Sequence, residues 1–321
     1  MADNPLVTVI VPTRNGRGEL GACLDGIFMQ TVSAQIEVIV IDSGSSDGTG
    51  DIARERNARV VDIRPEEFNH GATRNLGARL AGGELIVMTV QDARAVDDRW
   101  IERMIGHFAD PQVSGVCGQQ IVPHDADKNP LQWFRPYSEP APRKLHFSSA
   151  EEFDSLTPRE QTAACAWDDV TAMYRRSALM AVPFRSVMFA EDMIWARDAL
   201  RSGMRIVYDY RARVYHYHRE DLKYRFRRDM AILYHRYEYF GFVPPPEPLL
   251  LPLLRTTVNV SRRQYCPQHR LTWLLYNFRL ILAEWSAGWL FWLTARLRDR
   301  SAVSALYARV CRTAPEPRRA Q

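Results

Sequence analysis

The chain has 321 residues, of which 46% are hydrophobic and 25% are charged, a balance typical of a globular protein with a packed core. The formal net charge is only +4, and no dense lysine and arginine stripe with interleaved aromatics occurs, which argues against a nucleic-acid partner. The five cysteines are scattered singly, which argues against a disulfide framework and favours a reducing, cytoplasmic compartment.

Neither a signal peptide nor a spanning helix is predicted. The first apolar run, Leu6–Val11, has no basic segment before it. No run of about 18 apolar residues, the length that a spanning helix needs, occurs in the sequence.

The first 120 residues alternate between short apolar runs and segments with helical spacing. The runs predict strands at 7–11, 37–41, 58–63 and 84–90. The spacing predicts helices at 20–28, 47–56, 71–81 and 100–108. This alternation predicts an α/β fold with a mostly parallel central sheet and helices on both faces.

The pattern changes after residue 120. Residues 121–165 show no period and predict a long surface excursion, whereas 166–217 are regular again. The proline-rich stretch Val243–Pro248 predicts a boundary, and 254–312 have a helical pattern. We therefore divide the chain into 1–120, 121–240 and a C-terminal helical segment, 241–321.

Three loops follow predicted strands, where ligands bind in parallel sheets. They are Pro12–Asn15, Asp42–Thr49 and Gln91–Ala93. Glycines and small hydroxyl residues let a nucleotide approach the backbone, and an aspartate accepts hydrogen bonds from a base or ribose. Asp92 is suited to a divalent cation that bridges two phosphates. The alternative is that these residues only form turns and cap the following helices.

Motif order sharpens this interpretation. The motifs are PTRN (12–15), DSGSSDGT (42–49), FNHGATRNLG (68–77), QDA (91–93), FAEDMIW (189–195) and VYHYH (214–218). Together they resemble family 2 glycosyltransferases of the GT-A fold, which is Rossmann-like, and within that family the rhamnosyltransferase-like branch. The resemblance covers about residues 5–220. It implies that 1–120 bind a nucleotide sugar and that 121–240 complete the catalytic domain and bind the acceptor.

The resemblance implies a role for particular residues. The donor would lie against Pro12, Thr13, Asn15, Asp42, Ser43, Arg74, Gln91 and Asp92. Asp42 would recognise the base, and Arg74 would neutralise the diphosphate or orient the donor. Mg²⁺ or Mn²⁺ would be bound by Asp92 together with His216 or His218. One departure concerns the DxD triplet of many relatives, whose second carboxylate position is Arg94 if Asp92 is the first member, or Asp92 itself if Val90 is.

Catalysis would depend on Asp192, as the general base for the acceptor hydroxyl. With an ordinary carboxyl pKa near 4 it would be ionised without special tuning. Glu191, Trp167 and Trp195 would bind the acceptor, a glycan or a lipid-linked hydroxyl. The alternatives are an acidic pair at a helix N-terminus and buried tryptophans. One base without a covalent nucleophile implies a single displacement that inverts the anomeric centre.

The C-terminal segment Leu271–Leu297 mixes four tryptophans and many leucines with interspersed arginines. It predicts an amphipathic helical hairpin that lies at the inner face of a membrane, packs on the catalytic domain or forms a homodimer contact. The predicted function is an inverting glycosyltransferase of cell-surface polysaccharide synthesis, with dTDP-rhamnose as the expected donor. The alternative is a nucleotide-sugar-binding partner subunit without turnover. A dehydrogenase is disfavoured because no GxGxxG follows the first strand.

Overall fold

The computed structural model of the chain describes residues 7–32, 35–125, 127–132, 141–262, 269–297 and 299–311. Within these ranges one mixed sheet is flanked by helices. Its strands are β1 (Val7–Thr13), β2 (Ile36–Asp42), β3 (Arg59–Asp62), β4 (Leu85–Met88), β5 (Arg94–Ala95), β6 (Val113–Ile121), β7 (Arg143–Leu145), β8 (Ala172–Arg175) and β9 (Arg205–Tyr215). The helices are α1 (Leu20–Phe28), α2 (Thr49–Glu55), α3 (His70–Leu80), α4 (Trp100–Ile105), α5 (Ala150–Asp154), α6 (Pro158–Ala164), α7 (Arg176–Ala181), α8 (Glu191–Arg201), α9 (Leu222–Phe240), α10 (Leu250–Arg262), α11 (Arg270–Leu297) and α12 (Arg300–Val310).

One half of the sheet has the predicted parallel arrangement, with strand order β3-β2-β1-β4. β1 is almost fully buried because helices cover both faces of the sheet, as its continuous apolar run predicts. Thr13 at the end of β1 lies in register with Asp42 at the end of β2. The loops that follow these strands therefore begin side by side at one edge of the sheet.

The other half is more mixed than the sequence predicts. β8 runs antiparallel between β4 and β6, and β5 and β7 are both antiparallel to β9. Among the described strands of this half, only β6 and β9 are parallel. An apolar run reports burial and does not report strand direction, which is why periodicity alone could not distinguish these pairings. The predicted long surface excursion, 121–165, contains β7, α5 and α6.

A bulge of β9 interrupts its pairing with β6, because Cys117 pairs with Tyr208 whereas Gln119 pairs with Arg213. Gly118 lies at this point, and a Cβ atom there would come within 2.2 Å of the Ala212 carbonyl oxygen. Only glycine allows so close an approach of the two backbones. Beyond the bulge, Gln120 pairs with Val214, and the His216 amide donates to the Ile121 carbonyl at 3.0 Å. The bulge thus sets which residues of β6 lie beside the end of β9.

The chain divides into two compact units. The first comprises the described residues of 1–121 and 136–216, and the second those of 122–135 and 217–321. Inside the second unit, Asn129 and Asn277 exchange hydrogen bonds through their amides, at 2.8 and 3.1 Å, and both are buried. The division predicted from the sequence, into 1–120, 121–240 and 241–321, groups the residues differently from these two units. It remains a proposal about function.

The predicted hairpin within 271–297 is wrong, because α11 is one continuous helix of 28 residues. Buried residues recur along it at helical spacing and face α9 and α10 of the same unit; they are Trp273, Asn277, Leu280, Ala283, Ala287 and Phe291. The segment lacks the proline or paired glycines that would break a helix. Among the described residues, no helix has the combination of length and hydropathy needed to cross a bilayer.

Candidate active site

Three loops at the carboxyl edge of the parallel strands are tied together by hydrogen bonds. The Gln91 side chain accepts from the Arg14 amide at 2.9 Å and donates to the Arg14 carbonyl at 3.3 Å. Asn15 donates its amide to Ser45 Oγ at 2.7 Å, and its side-chain oxygen accepts from the Ser46 amide at 2.9 Å. The structure therefore brings the PTRN, DSGSSDGT and QDA loops together, and uses Gln91 and Asn15 to fix them.

Asn15 adopts a left-handed backbone conformation, with φ of 45°. Asparagine tolerates this region better than most residues. Thr13 is buried at the end of β1, and Ser43 donates its hydroxyl to the Thr13 carbonyl at 3.1 Å. Pro12 lies within β1 opposite Ile41. These residues shape the backbone at the edge of the sheet, and their predicted contact with a nucleotide stays a prediction.

Asp42 is buried at the end of β2, with 4% of its surface exposed. Its Oδ1 accepts from the amide and the hydroxyl of Ser45, at 3.0 and 2.6 Å. The loop that follows β2 thus folds back over the aspartate and holds the carboxylate in one orientation. A carboxylate fixed in this way is suited to a directional hydrogen bond from a ligand donor.

Asp92 and His216 meet because β5 pairs antiparallel with the end of β9, Arg94 lying opposite Tyr215. The distance between Asp92 Oδ1 and His216 Nε2 is 3.5 Å, and both side chains are mostly buried. One ion can contact two atoms at this spacing, because Mg²⁺ binds its ligands at about 2.0–2.1 Å. Carboxylate oxygen and imidazole nitrogen also suit Mn²⁺ and related ions. The donor set therefore fits a divalent cation.

His218 follows two residues later and lies in the second unit, after the end of β9. Its part in the ligand set stays a prediction. Arg94 occupies the place of a second carboxylate, and its guanidinium carbon lies 5.4 Å from the centre of the Tyr215 ring. Arg94 thus stacks on an aromatic ring and supplies no acidic ligand at this position.

Asp192 and Glu191 form the first turn of α8. The residue before them, Ala190, has a left-handed conformation with φ of 63°, which is strained for alanine. Asp192 Oδ1 accepts from the Met193 amide at 2.7 Å, and Oδ2 accepts from the Asp169 amide at 3.4 Å. Backbone strain and fixed hydrogen bonds at one carboxylate are typical of a functional site, where the fold holds a side chain in position.

The expectation of an ordinary, fully ionised Asp192 is wrong. Burial raises its pKa well above the usual carboxyl value, and the nearby carboxylates of Glu191, Asp169 and Asp168 raise the pKa further. Burial also raises the pKa of Asp169, to about 7, although the Arg74 guanidinium opposes the change. Two carboxyls with strongly raised pKa values therefore lie beside one another, a pattern common in sites of acid and base chemistry.

Arg74 lies in α3 and is buried. Its Nε is 2.9 Å from Asp169 Oδ2, and its Nη1 pairs with Glu191. Burial lowers the pKa of Arg74, but Glu191 and Asp169 raise it more, and the guanidinium stays charged. Arg74 is thus engaged with protein carboxylates, which disfavours direct contact with a diphosphate. Glu191 is engaged in the same pair, so its predicted contact with an acceptor is also disfavoured by this geometry.

Trp167 and Trp195 belong to a buried aromatic cluster with Tyr174. Their ring centres lie 5.4 Å apart, and only 5% and 0% of their surfaces are exposed. Trp167 donates its indole N–H to the Tyr174 hydroxyl at 2.6 Å, and that hydroxyl in turn bonds Asp169. The alternative of structural tryptophans fits this arrangement better than stacking on a sugar. Tyr174 links this cluster to the acidic residues through its bond to Asp169.

Sequence reasoning did not single out Asp168, Asp169 or Gln120. Asp168 bonds the Gln120 side chain, whose other end lies 2.7 Å from His216 Nδ1. A chain of contacts thereby runs from Asp192 through Asp169 and Asp168 to the Asp92 and His216 pair. The available signal was the adjacent Asp168-Asp169 pair just before a strand.

Solved structures with the same architecture identify the fold. TarS 1–349 of S. aureus aligns with a TM-score of 0.51 at 17% identity, covering 91% of each chain. The mannosyltransferase PcManGT of Pyrobaculum calidifontis, solved in complex with GDP-Man and Mn²⁺, aligns with a TM-score of 0.50 at 19% identity, over 95% of this chain and 79% of that one. Such similarity shows the fold, which is the GT-A fold of glycosyltransferases, and confirms the predicted fold class.

The model of the family described as "Glycosyl transferase family 2" matches residues 8–182, more than half of the 321 residues. The chain belongs to this family. The O-antigen chain rhamnosyltransferase RfbN of Salmonella typhimurium is 33% identical over 229 residues, which cover 69% of each chain. WbaN of Salmonella anatum, with the same description, is 31% identical over 230 residues and 70% of each chain. The predicted resemblance to a rhamnosyltransferase-like branch is confirmed.

Proposed function

We propose that the chain transfers a sugar from a nucleotide diphosphate to a hydroxyl acceptor in one inverting, cation-assisted displacement. The observation that carries this proposal is the contrast between two aspartates of the first unit. Asp92 lies 3.5 Å from an imidazole nitrogen, an arrangement suited to a cation. Asp192 has a raised pKa and its surroundings are acidic, which suits proton acceptance. Two carboxylates in different environments can divide the work between leaving group and nucleophile.

In this mechanism Asp192 accepts the proton of the acceptor hydroxyl as the oxygen attacks the anomeric carbon. Asp42, held by Ser45, accepts a hydrogen bond from the base of the donor. Asp92 and His216, with His218 as a further candidate, would hold the cation. When bound, the cation supplies charge stabilisation to the departing diphosphate. The acceptor oxygen is the only nucleophile in this mechanism, and no covalent intermediate with the protein is formed.

The proposed donor is dTDP-rhamnose, and the proposed acceptor is a glycan or lipid-linked hydroxyl in cell-surface polysaccharide synthesis. The support is that RfbN and WbaN, each about a third identical, are described as O-antigen chain rhamnosyltransferases. We place the reaction in the cytoplasm, at the inner face of the membrane. The cysteines of the described residues are buried and free of disulfides, consistent with a reducing compartment, and Cys266 lies outside the described residues.

A surface of the second unit supports peripheral contact with an anionic membrane. Leucines and one valine of α10 and α11 are exposed: Leu250, Leu251, Leu254, Val258, Leu271, Leu275, Leu282, Leu290, Leu293 and Leu297. Exposed arginines accompany them, among them Arg270, Arg279 and Arg296. Apolar side chains next to basic ones favour an interfacial position on anionic lipid. A homodimer contact through the same leucines is the alternative.

The experiment that tests the function has two stages. Nucleotide sugars are first screened for thermal stabilisation, since a ligand at 100 times its dissociation constant adds about 2.7 kcal/mol. The stabilising donor is then incubated with candidate acceptors, with and without Mn²⁺, and the product anomer is determined by NMR. Inversion with a Mn²⁺-dependent rate supports the proposal. Retention of configuration refutes it, and donor binding with neither transfer nor hydrolysis supports a partner subunit without turnover.

A further inference from the structure

A relay of hydrogen bonds connects Asp168, Gln120 and His216 in the first unit. The Gln120 side chain donates its amide nitrogen to Asp168 Oδ2, and its oxygen Oε1 lies 2.7 Å from His216 Nδ1. The other oxygen, Asp168 Oδ1, accepts from the Val170 amide at 3.0 Å. All three side chains are partly buried, so water competes weakly with these bonds.

The chemistry of the groups fixes the direction of every bond in the relay. An ionised carboxylate only accepts, so the amide nitrogen of Gln120 must face Asp168. The amide oxygen then faces His216, and an oxygen can only accept. His216 Nδ1 must therefore carry the proton. In a neutral imidazole the other nitrogen, Nε2, is then unprotonated, and Nε2 is the atom 3.5 Å from Asp92.

The fold holds this relay in place at both ends. The pairing of β6 with β9 passes from Cys117 opposite Tyr208 to Gln119 opposite Arg213, so the extra residues lie on β9, and beyond them Gln120 lies diagonally across from His216. The Val170 amide donates to Asp168 and fixes its carboxylate. Val170 is held in turn by a hydrogen bond from Thr89 Oγ1 to its carbonyl, at 2.9 Å. Neither Gln120 nor Asp168 is adjacent in sequence to the ligands they orient. Partners of this kind set the ring orientation and basicity of metal-binding histidines.

We propose that Gln120 and Asp168 are positioning residues that hold His216 as the Nδ1–H tautomer, so that its Nε2 lone pair faces the cation shared with Asp92. The proposal rests on the proposed function for the identity of the ligand, a divalent cation. The tautomer itself is a property of this chain and is measured without any ligand. Gln120 therefore acts on cation binding only through His216.

The decisive variant is Asp168→Asn, which keeps the shape and reverses the relay. The Val170 amide still requires an oxygen at the Oδ1 position, so the new NH₂ group faces Gln120. Two NH₂ groups cannot face each other, and the Gln120 amide rotates by half a turn. It then donates to His216 Nδ1, which must become the acceptor. We expect the proton to move to Nε2, where it points at Asp92 and blocks cation binding.

The first readout is the tautomer of His216 in the ligand-free protein. Long-range ¹H–¹⁵N correlation spectra of histidine-labelled protein distinguish Nδ1–H from Nε2–H, and His216→Gln assigns the signals. At about pH 8 an ordinary imidazole is neutral. We expect Nδ1–H in the wild type and Nε2–H in Asp168→Asn. The matched control is Asp198→Asn, because Asp198 pairs with Arg185 and Arg197 and takes no part in the relay.

The second readout is Mn²⁺ affinity, measured by electron paramagnetic resonance without donor or acceptor. We expect Asp168→Asn to weaken binding about 10–100-fold, the usual effect of losing an outer partner of a ligating histidine. Adding Gln120→Glu to Asp168→Asn should restore both tautomer and affinity. The new carboxylate accepts from the asparagine on one side and from His216 on the other. If Asp168→Asn acted only by damaging the fold, exchanging the amide and the carboxyl group between positions 120 and 168 would not restore the tautomer or the affinity.

The outcomes separate the inference from the function on which it rests. A wild-type Nε2–H signal, or an unchanged tautomer in Asp168→Asn, overturns the inference. The expected tautomers without Mn²⁺ binding in the wild type support the relay and refute the proposed metal site. If Asp168→Asn does not fold, Gln120→Leu removes the acceptor at Nδ1 instead. Persistence of a single Nδ1–H tautomer in Gln120→Leu would then refute the relay.

Discussion

Replacing Asp192 by asparagine should stabilise the protein and abolish most of its activity at the same time. Burial and three carboxylates raise the pKa of Asp192, so the folded state binds this proton more tightly than the unfolded chain does. The stability contributed by the group is fully present below the usual carboxyl pKa of about 4 and is lost as pH rises through the raised folded value. Asparagine does not ionise, so the variant does not lose this stability as the pH rises.

The magnitude follows from the pKa. At pH values above the folded pKa of Asp192, the wild type is destabilised by about 1.4 kcal/mol for each unit by which the folded pKa exceeds the unfolded one. For a unit of roughly 200 residues this is about 3–6 °C in melting temperature per unit. The opposing loss is the 3.4 Å bond from the Asp169 amide, which is long and weak. We therefore expect Asp192→Asn to melt above the wild type at pH 8, with the difference shrinking towards pH 4.

Thermal melts of both proteins between pH 4 and pH 8 measure this difference, and a turnover assay with the stabilising donor measures the activity. Turnover should fall about 10²–10⁴-fold, the usual contribution of a positioned base. Donor affinity should hardly change, because the proposed mechanism assigns this carboxylate to the acceptor. Asp198→Asn is the control of opposite sign, since Asp198 is paired with two arginines and its loss should lower the melting temperature at pH 8. If Asp192→Asn behaves like Asp198→Asn, the reasoning about buried like charges is wrong.

Three further predictions test the donor site, the second unit and the bulge. Calorimetry should show weaker nucleotide binding for Asp42→Ala and Asp92→Ala, with a lost Mn²⁺ response in Asp92→Ala, and unchanged affinity in both would refute the site. High salt or carbonate should release the protein from membranes, whereas release by detergent alone would contradict peripheral attachment. Gly118→Ala should lower stability by about 1–3 kcal/mol, since its Cβ would lie 2.2 Å from the Ala212 carbonyl oxygen. The control Gly18→Ala, with no atom within 4 Å of the added carbon, should leave stability unchanged. Equal melting temperatures of the two variants would contradict the close approach at the bulge.

The parallel half of the sheet was predictable because burial on both faces leaves a direct mark in the sequence. Every residue of Val7–Val11 is apolar except Thr8, which is buried and donates its hydroxyl to Glu37. The loops after β1, β2 and β4 were predictable for the same reason, since they follow recognisable strands. β8 was not, because its direction depends on how the chain returns to the sheet after residue 141, and no local pattern encodes that path.

The candidate residues of the site could be chosen from the sequence, whereas their environment could not. Asp92, His216 and Asp192 stand in motifs, so their positions could be inferred from order and spacing. Their surroundings come from distant residues: Gln120 reaches His216 from β6, and Asp169 reaches Asp192 from before β8. The raised pKa of Asp192 arises from those neighbours, which explains why an ordinary carboxyl was expected. Arg74 illustrates the same limit, since only the fold shows which carboxylates it pairs with.

The paired amides of Asn129 and Asn277 have a consequence for how the chain is made. The two residues are 148 positions apart, and Asn129 also donates its backbone amide to the Tyr217 hydroxyl at 3.2 Å. At ordinary ribosomal rates the segment 127–132 waits about 7–30 s for α11 to be synthesised. During that interval its polar groups must stay hydrated or chaperoned. A chimera that exchanges the C-terminal helices with those of a relative must therefore carry residues 127–132 with them, because a buried asparagine left without its partner amide costs about 1–3 kcal/mol.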